Sequence, residues 1–279
     1  MADAETISQA VYDAVREIAV ELRPDFLAAL QCAREAERSE RGRRVLGQLL
    51  ANAEYAAQER VPLCQDTGTV WVWVELGDRE PVPSGLQAAV DNAVARAYRD
   101  AALRMSVVAD ALVDRTNTGD NTPAFVDLTL RPGAGATVHV MLKGGGSDNA
   151  SATAMLPPST GEDGIVEFVV ERVREKATGA CPPLVLGVGV GSTFDGVAKL
   201  AKKALLRPVG EAHPDARVAA FEQRLLGEVN ALGIGPAGLG GDTTALGVSV
   251  LTAPCHIAAL PVSVNMGCSA VRSVSVHVR

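Results

Sequence analysis

A chain of 279 residues with 47% hydrophobic and 21% charged residues has the composition of a globular protein with a sizeable core. Its formal net charge of -7 argues against a nucleic-acid partner, because phosphate backbones select for clustered Lys and Arg. No uninterrupted apolar run approaches the roughly 18 residues of a membrane span, and the first residues lack a basic stretch leading into an apolar one. The expected location is the cytoplasm.

Apolar residues recur at Ile7, Val11, Val15, Ile18 and Leu22, the spacing of a helix with one buried face, and Pro24 stops it. Helical stretches follow over 26–37 and 43–58. Val61-Pro-Leu-Cys-Gln-Asp-Thr-Gly is a turn-rich loop, and Val70-Trp-Val-Trp-Val-Glu-Leu reads as a strand of branched and aromatic residues. A helix over 84–103 comes next. Residues 124–130 and 136–142 alternate as strands, and the turn chemistry of Arg131-Pro-Gly-Ala-Gly between them predicts a hairpin. Helices are expected at 164–176, 196–206 and 214–232, and strands at 184–190, 244–251, 258–264 and 274–278. The whole predicts an α/β fold, a single domain over 1–279 with a mixed β-sheet flanked by helices.

Function should lie in the loops, which are dense in Gly, Pro and polar residues beside Cys. Lys143-Gly-Gly-Gly-Ser and Gly187-Val-Gly-Val-Gly both invite a nucleotide-binding reading, but neither has the glycine spacing of a P-loop or a dinucleotide fingerprint. Close backbone packing suits 187–191, while the exposed N–H groups of 143–149 suit a small anion such as a carboxylate.

The five cysteines, Cys32, Cys64, Cys181, Cys255 and Cys268, are odd in number and widely spaced, a poor disulfide framework. Each is left as a small core residue, a metal ligand or a nucleophile. Cys32, in a helix among Ala and Leu, reads as a core residue. Cys255 abuts His256, but neighbouring side chains on an extended segment point apart, so the two do not form a nucleophile and base. None lies in a CxxC pair, so spacing alone lends little support to zinc or a ferredoxin-type cluster.

Taken in order, Leu63-Cys-Gln-Asp-Thr-Gly, Leu103-Arg-Met-Ser, Asn117-Thr-Gly-Asp-Asn-Thr-Pro, Lys143-Gly-Gly-Gly-Ser-Asp-Asn, Cys181-Pro-Pro, Ala201-Lys-Lys-Ala-Leu, Gly233-Ile-Gly-Pro and Pro254-Cys-His-Ile-Ala-Ala-Leu-Pro-Val carry a family resemblance. Together they resemble the alpha subunit, or N-terminal half, of the oxygen-sensitive iron-sulfur hydro-lyases, class I fumarate hydratase and L-tartrate dehydratase. The resemblance implies that Cys64, Cys181 and Cys268 hold a [4Fe-4S] cluster. Its fourth iron, without a thiolate, would act as a Lewis acid on a small dicarboxylic acid. It places Gln65, Arg104 and Gly145 at the substrate and gives catalytic roles to Asp66 and His256. Arg104 can clamp a carboxylate through two parallel hydrogen bonds, whereas without the resemblance it reads as a surface cation. The family's base and further cations belong to its other half, which implies a separate beta subunit and an α2β2 assembly.

Reversible hydration of fumarate to malate is the expected reaction, because the Ser-Asp-Asn after the glycines resembles the fumarase form. A dehydratase of tartrate or of a methylated dicarboxylate such as mesaconate is the alternative enzyme, and a non-catalytic iron-sulfur scaffold the alternative from another class. Three residues depart from the family pattern: Asp148 where Glu is usual, Asp242 where Lys is common and Ser269 where Trp is frequent.

Overall fold

The first helix, α1 (Ala4–Ile18), starts where Asp3 accepts a hydrogen bond from the Thr6 amide at 2.8 Å, capping an otherwise unpaired donor. Its buried stripe of Ile7, Val11, Ala14, Val15 and Ile18 follows the helical period read from the sequence. Burying each of the larger side chains contributes about 1.5–3 kcal/mol. The computed structural model describes residues 3–278. It continues with α2 (Pro24–Ala36), α3 (Glu40–Glu59), β1 (Thr69–Gly77), α4 (Leu86–Asp100), β2 (Phe125–Arg131), β3 (Ala136–Lys143), α5 (Gly145–Ala150) and β4 (Ala152–Leu156). Next come α6 (Gly161–Lys176), β5 (Leu184–Gly191), α7 (Phe194–Ala204), α8 (Ala216–Asn230), β6 (Ala245–Ala253), β7 (Leu260–Gly267) and β8 (Arg272–Val278).

The α/β class expected from the sequence holds. Where one mixed sheet was expected, the described residues form two four-stranded ones, ordered β2-β1-β3-β8 and β4-β7-β5-β6. Each belongs to its own unit: residues up to 23, 53–145 and from 272 onward form the first, and 24–52 with 146–271 form the second.

In the first unit, α1 and α4 cover one face of the sheet, packing on Val70, Val72, Val74, Leu76, Val138, Val140 and Leu142. The expected hairpin of β2 and β3 does not form, because β1 lies between them, parallel to β2 and antiparallel to β3. The turn at 131–135 instead passes over the end of β1. Gly77 donates to the Gly135 carbonyl at 2.8 Å and Asp78 to the Arg131 carbonyl at 2.8 Å. A Cβ on Gly77 would lie 2.5 Å from the Gly133 carbonyl oxygen, so the crossing requires glycine there.

In the second unit, β5 runs parallel to β6 and antiparallel to β7. Leu184, Leu186 and Val188 belong to the core that α6 and α8 complete with Val169, Val173, Leu225 and Val229. Gly187 and Gly189 point the other way, onto α7. A Cβ on Gly187 would sit 2.2 Å from the Ala201 carbonyl oxygen, and one on Gly189 would sit 2.5 Å from that of Val197. The glycine run is therefore a packing surface, as its spacing suggested, and covering both faces explains why β5 lacks apolar/polar alternation.

Cys32 is exposed, contrary to the core reading. Helix α2 buries Phe26 and Leu30, one turn apart, and Cys32 lies two residues beyond, rotated onto the other side. Among the described residues, one α-helix and one strand escaped the sequence reading. Helix α5 has the sequence Gly-Gly-Ser-Asp-Asn-Ala, poor in helix formers, and β4 is five residues with little alternation.

Glu37 ties the loop before β6 in place. It is 1% exposed, and it accepts hydrogen bonds from the Asp242 amide at 2.9 Å, Thr243 at 3.0 Å and Ser39 at 3.0 Å. Burial by itself would raise its pKa, but these donors outweigh it and hold the carboxyl below its ordinary 4.5. Asp242, one departure from the family pattern, meets Arg38 through two parallel bonds of 2.8 and 2.7 Å, and this guanidinium holds its carboxyl down at about 2. Because the folded pKa of Glu37 is depressed, its stabilisation is complete above the unfolded value and fades as pH falls through the folded one. Glu37→Ala should cost about 2–4 kcal/mol near neutral pH, through three part-buried amides left without an acceptor. In urea titrations the gap between variant and wild type should narrow below about pH 4.5. A gap that stays constant down to pH 3 would contradict this.

Candidate active site

The loop from 61 to 68 is fastened where α1 ends, the Leu63 amide donating to the Ala19 carbonyl at 2.9 Å. Cys64 is half-buried, and its Sγ donates to Oε1 of the exposed Gln65 at 3.4 Å. Asp66 turns inward. Its Oδ2 accepts from the Gly145 amide at 2.8 Å, its Oδ1 accepts from the Gly68 amide at 3.1 Å, and Nη2 of Arg104 approaches Oδ1 at 3.4 Å. The anion expected on the glycine-rich segment is thus, at its first exposed amide, a carboxylate of the chain itself. Arg104 is 57% exposed, so this long ion pair adds little and leaves the guanidinium open to solvent.

Buried groups fix the loop from behind. Tyr98, fully buried, shares its hydroxyl hydrogen between the Gly68 carbonyl at 2.9 Å and that of Thr67 at 3.1 Å, and burial pushes its phenol far above the ordinary range. Thr67 donates through Oγ1 to the Arg104 carbonyl. Asn121, also fully buried, accepts from the Ser106 amide at 2.7 Å and donates to the Gly68 carbonyl at 3.2 Å. Asn117 donates to the Met105 carbonyl at 3.0 Å. The Asn117-to-Pro123 motif therefore clamps the Leu103–Ser106 segment against the Cys64 loop. Gly68, at φ +80°, cannot be replaced without overlap: a Cβ there would lie 2.6 Å from the Lys143 carbonyl oxygen.

Arg272, at the start of β8, is a neighbour that sequence reasoning missed. It is 2% exposed, and its Nε and Nη1 have no hydrogen-bond partner. A Cβ built on Gly144 would lie 3.1 Å from Asp66 Oδ2 and 3.7 Å from Arg272 Nη2, which places this buried cation beside the carboxylate. The only signal in the sequence is a lone Arg opening a strand of alternating Val and Ser.

In the second unit, Cys181 follows a 3-10 turn at φ +55°, in the left-handed region that residues other than glycine seldom adopt. The Ser269 amide donates to the Cys181 carbonyl at 3.0 Å, joining the two loops that carry Cys181 and Cys268. The register sets both at one end of the sheet, since Val185 lies opposite Gly267. His256 lies at the other end, between Ala253, which is opposite Gly191, and Leu260, which is opposite Leu156. There Nδ1 of His256 accepts from the Ala258 amide at 3.1 Å, and Cys255 Sγ donates to the Ala259 carbonyl at 3.3 Å. As expected, Cys255 and His256 do not pair with each other.

Thus Cys64, Gln65, Asp66, Arg104 and Gly145 gather in the first unit. In the second, Cys181 and Cys268 gather without His256. No described cysteine is in a disulfide, and the described residues contain no ready-made cage of three or more Cys, His, Asp or Glu side chains. Within the second unit, Cys181 and Cys268 stand on adjoining loops, and thiols are the donors that soft metal chemistry takes; in the first unit Cys64 is a half-buried thiol. No described helix is long and apolar enough to cross a membrane.

The chain matches the fumarate hydratase (Fumerase) family over residues 8–277. It is 39% identical over 272 residues to "Putative L(+)-tartrate dehydratase subunit alpha" of Methanocaldococcus jannaschii, covering 95% of each chain. It is 35% identical over 265 residues to the L(+)-tartrate dehydratase subunit alpha of Escherichia coli strain UTI89, covering 94% of this chain and 87% of the other. The corresponding subunit of Escherichia coli O157:H7 is 36% identical over 259 residues, covering 91% and 85%. The chain belongs to the fumarate hydratase family and is a hydro-lyase of that family.

The clamp can be tested at Asn121. Asn121→Ala leaves the Ser106 amide and the Gly68 carbonyl without their partner, at a residue whose φ of +63° suits Ala poorly. It should cost about 2–4 kcal/mol in denaturant unfolding and lower turnover as well. Wild-type stability in this variant would remove the clamp.

Proposed function

We propose that this chain is the alpha subunit of an iron-sulfur hydro-lyase that reversibly hydrates a four-carbon dicarboxylate, with fumarate and malate as its substrate pair. The observation that carries the reading is Asp66, one residue from Gln65 and two from Cys64, bound to the Gly145 amide and paired with Arg104. One interaction thereby draws together most of the positions that the resemblance assigns to substrate. Names of the relatives support L(+)-tartrate as the second substrate reading, and their description as alpha subunits supports a separate beta partner. The catalytic base is assigned to that partner, in an α2β2 enzyme.

Cys64, Cys181 and Cys268 are the thiolates that would hold a [4Fe-4S] cluster, which, when bound, supplies a Lewis acid for the leaving hydroxyl. The chain's own residues bind and orient. Arg104, exposed and only loosely paired with Asp66, is free to offer a two-pronged donor to a substrate carboxylate. Gln65 presents an exposed amide next to Cys64, whose Sγ donates to its Oε1. Asp66 accepts from the Gly145 amide and approaches Arg104, fixing the two segments together. A neutral His256 whose Nδ1 accepts from the Ala258 amide carries its proton on Nε2, ready to donate to an oxygen of the substrate.

Anaerobically prepared protein should be brown, with about one four-iron cluster per chain. Cys64→Ser, Cys181→Ser and Cys268→Ser should lose it, whereas Cys32→Ser and Cys255→Ser keep it. Iron loss in either of the last two would show the ligands wrongly chosen. Assayed with beta, the enzyme should turn over fumarate and malate, and a strong preference for L(+)-tartrate would establish the second reading instead.

Arg104→Lys keeps the charge but not the planar fork, and should lower kcat/KM in the α plus β enzyme by roughly thirty-fold to a thousand-fold, about 2–4 kcal/mol. Iron content and melting temperature should barely change. Unchanged efficiency would take Arg104 out of the site.

A further inference from the structure

We propose that Arg272 is a positioning residue for carboxylate binding: its buried charge draws Asp66 inward onto the Gly145 amide and so leaves the Arg104 guanidinium open to a ligand. On the hydro-lyase reading, on which the identity of that ligand rests, the carboxylate belongs to the four-carbon substrate.

Strand register puts Arg272 where an apolar residue is due. It stands opposite Leu142, with Val274 opposite Val140 and Val276 opposite Val138. Alternate residues of a strand share a face, and on this face Val138, Val140 and Leu142 lie in the first unit's core with Val274 and Val276 packed against it. The row therefore ends in a guanidinium that is 2% exposed, with Nε and Nη1 unpartnered and no ion pair to a described carboxylate. A charge buried in this way is a cost to folding, because nothing replaces the water it gave up. A fold keeps such a residue for what it does to its surroundings.

Beside it stands Asp66. From a Cβ built on Gly144, Asp66 Oδ2 lies at 3.1 Å and Arg272 Nη2 at 3.7 Å, so the opposite charges are no more than about 7 Å apart. Both reach the Tyr98 hydroxyl: burial is the main cause of its raised pKa, and there Arg272 acts to lower it and Asp66 to raise it. Away from water, attraction over this distance is little screened. Asp66 is thus held between a buried cation and an exposed one. Its contact with Arg104 is single and long, at 3.4 Å, where Arg38 and Asp242 close through two bonds of 2.8 and 2.7 Å. Without Arg272 the exposed cation has no rival, so Asp66 turns onto Arg104 and fills its fork.

The test compares Arg272→Met with Arg272→Lys in the α plus β enzyme. Met is of similar length and has no donors to satisfy, so it should leave the melting temperature unchanged or raise it. Arg104 in this variant should react several-fold more slowly with phenylglyoxal, read by peptide mass spectrometry, because Asp66 shields it. KM for fumarate and the dissociation constant of succinate, a dicarboxylate that cannot be hydrated, should both rise by roughly ten-fold to a hundred-fold. Arg272→Lys keeps the charge beside Asp66 and should stay near wild type in every measurement, unlike Arg104→Lys, where the fork itself is lost.

A much lower melting temperature in both variants would make Arg272 structural and overturn the proposal. A stable Arg272→Met enzyme with wild-type Arg104 reactivity would overturn it too, whatever that enzyme binds. Failure of the wild type to turn over fumarate and malate would instead overturn the hydro-lyase reading, and slowed Arg104 modification in Arg272→Met would still uphold the role of Arg272.

Discussion

The Asp66 carboxylate is the interaction on which the first unit's functional residues depend. It accepts the amides of Gly68 and Gly145 and pairs with Arg104, so three separate segments are positioned by one side chain. A carboxylate with two backbone donors is held far more firmly than a surface ion pair, because both donors are fixed in direction. Tyr98, Thr67 and Asn121 then hold the backbone of the same loop from the buried side. Arg272 adds a buried positive charge beside it. Residues near the chemistry are thus set by a shell that itself needs no contact with substrate.

The second unit is governed by a different constraint, the direction of β5. Its glycines let α7 lie against the strand while α6 and α8 cover the opposite face, so the strand is rigid and buried on both sides. What it carries at its two ends is therefore held apart. Cys181 at one end is locked to Ser269, and the turn bearing His256 at the other is locked to Ser192. A flexible linker would have left the distance between them open; a buried strand does not.

Sequence alone determined a great deal about this protein. Helical and strand periods reflect burial of one face, a local property of the chain, and so α1, α3, β1, α6, β5 and α8 were legible within a few residues. Side-chain chemistry is also local, which is why Cys64 and the glycine segment could be singled out by residue type, whereas Asp66 and Arg104 were singled out only by the family resemblance. Tertiary structure alone decided partnership. The turn at 131–135 has hairpin chemistry, yet β1 enters between β2 and β3, because strand pairing is chosen by long-range contacts that no local pattern encodes. Cys32 has apolar neighbours in sequence but faces outward, since two residues turn a helix by about 200°. The Asn117-to-Pro123 motif, legible only as a polar loop, proved to be a clamp because its hydrogen-bond partners lie in segments remote or separated along the chain. And the placement of His256 at the far end from Cys181 and Cys268 follows from strand order and register, which fix where a residue stands, whereas its sequence could fix only what it is.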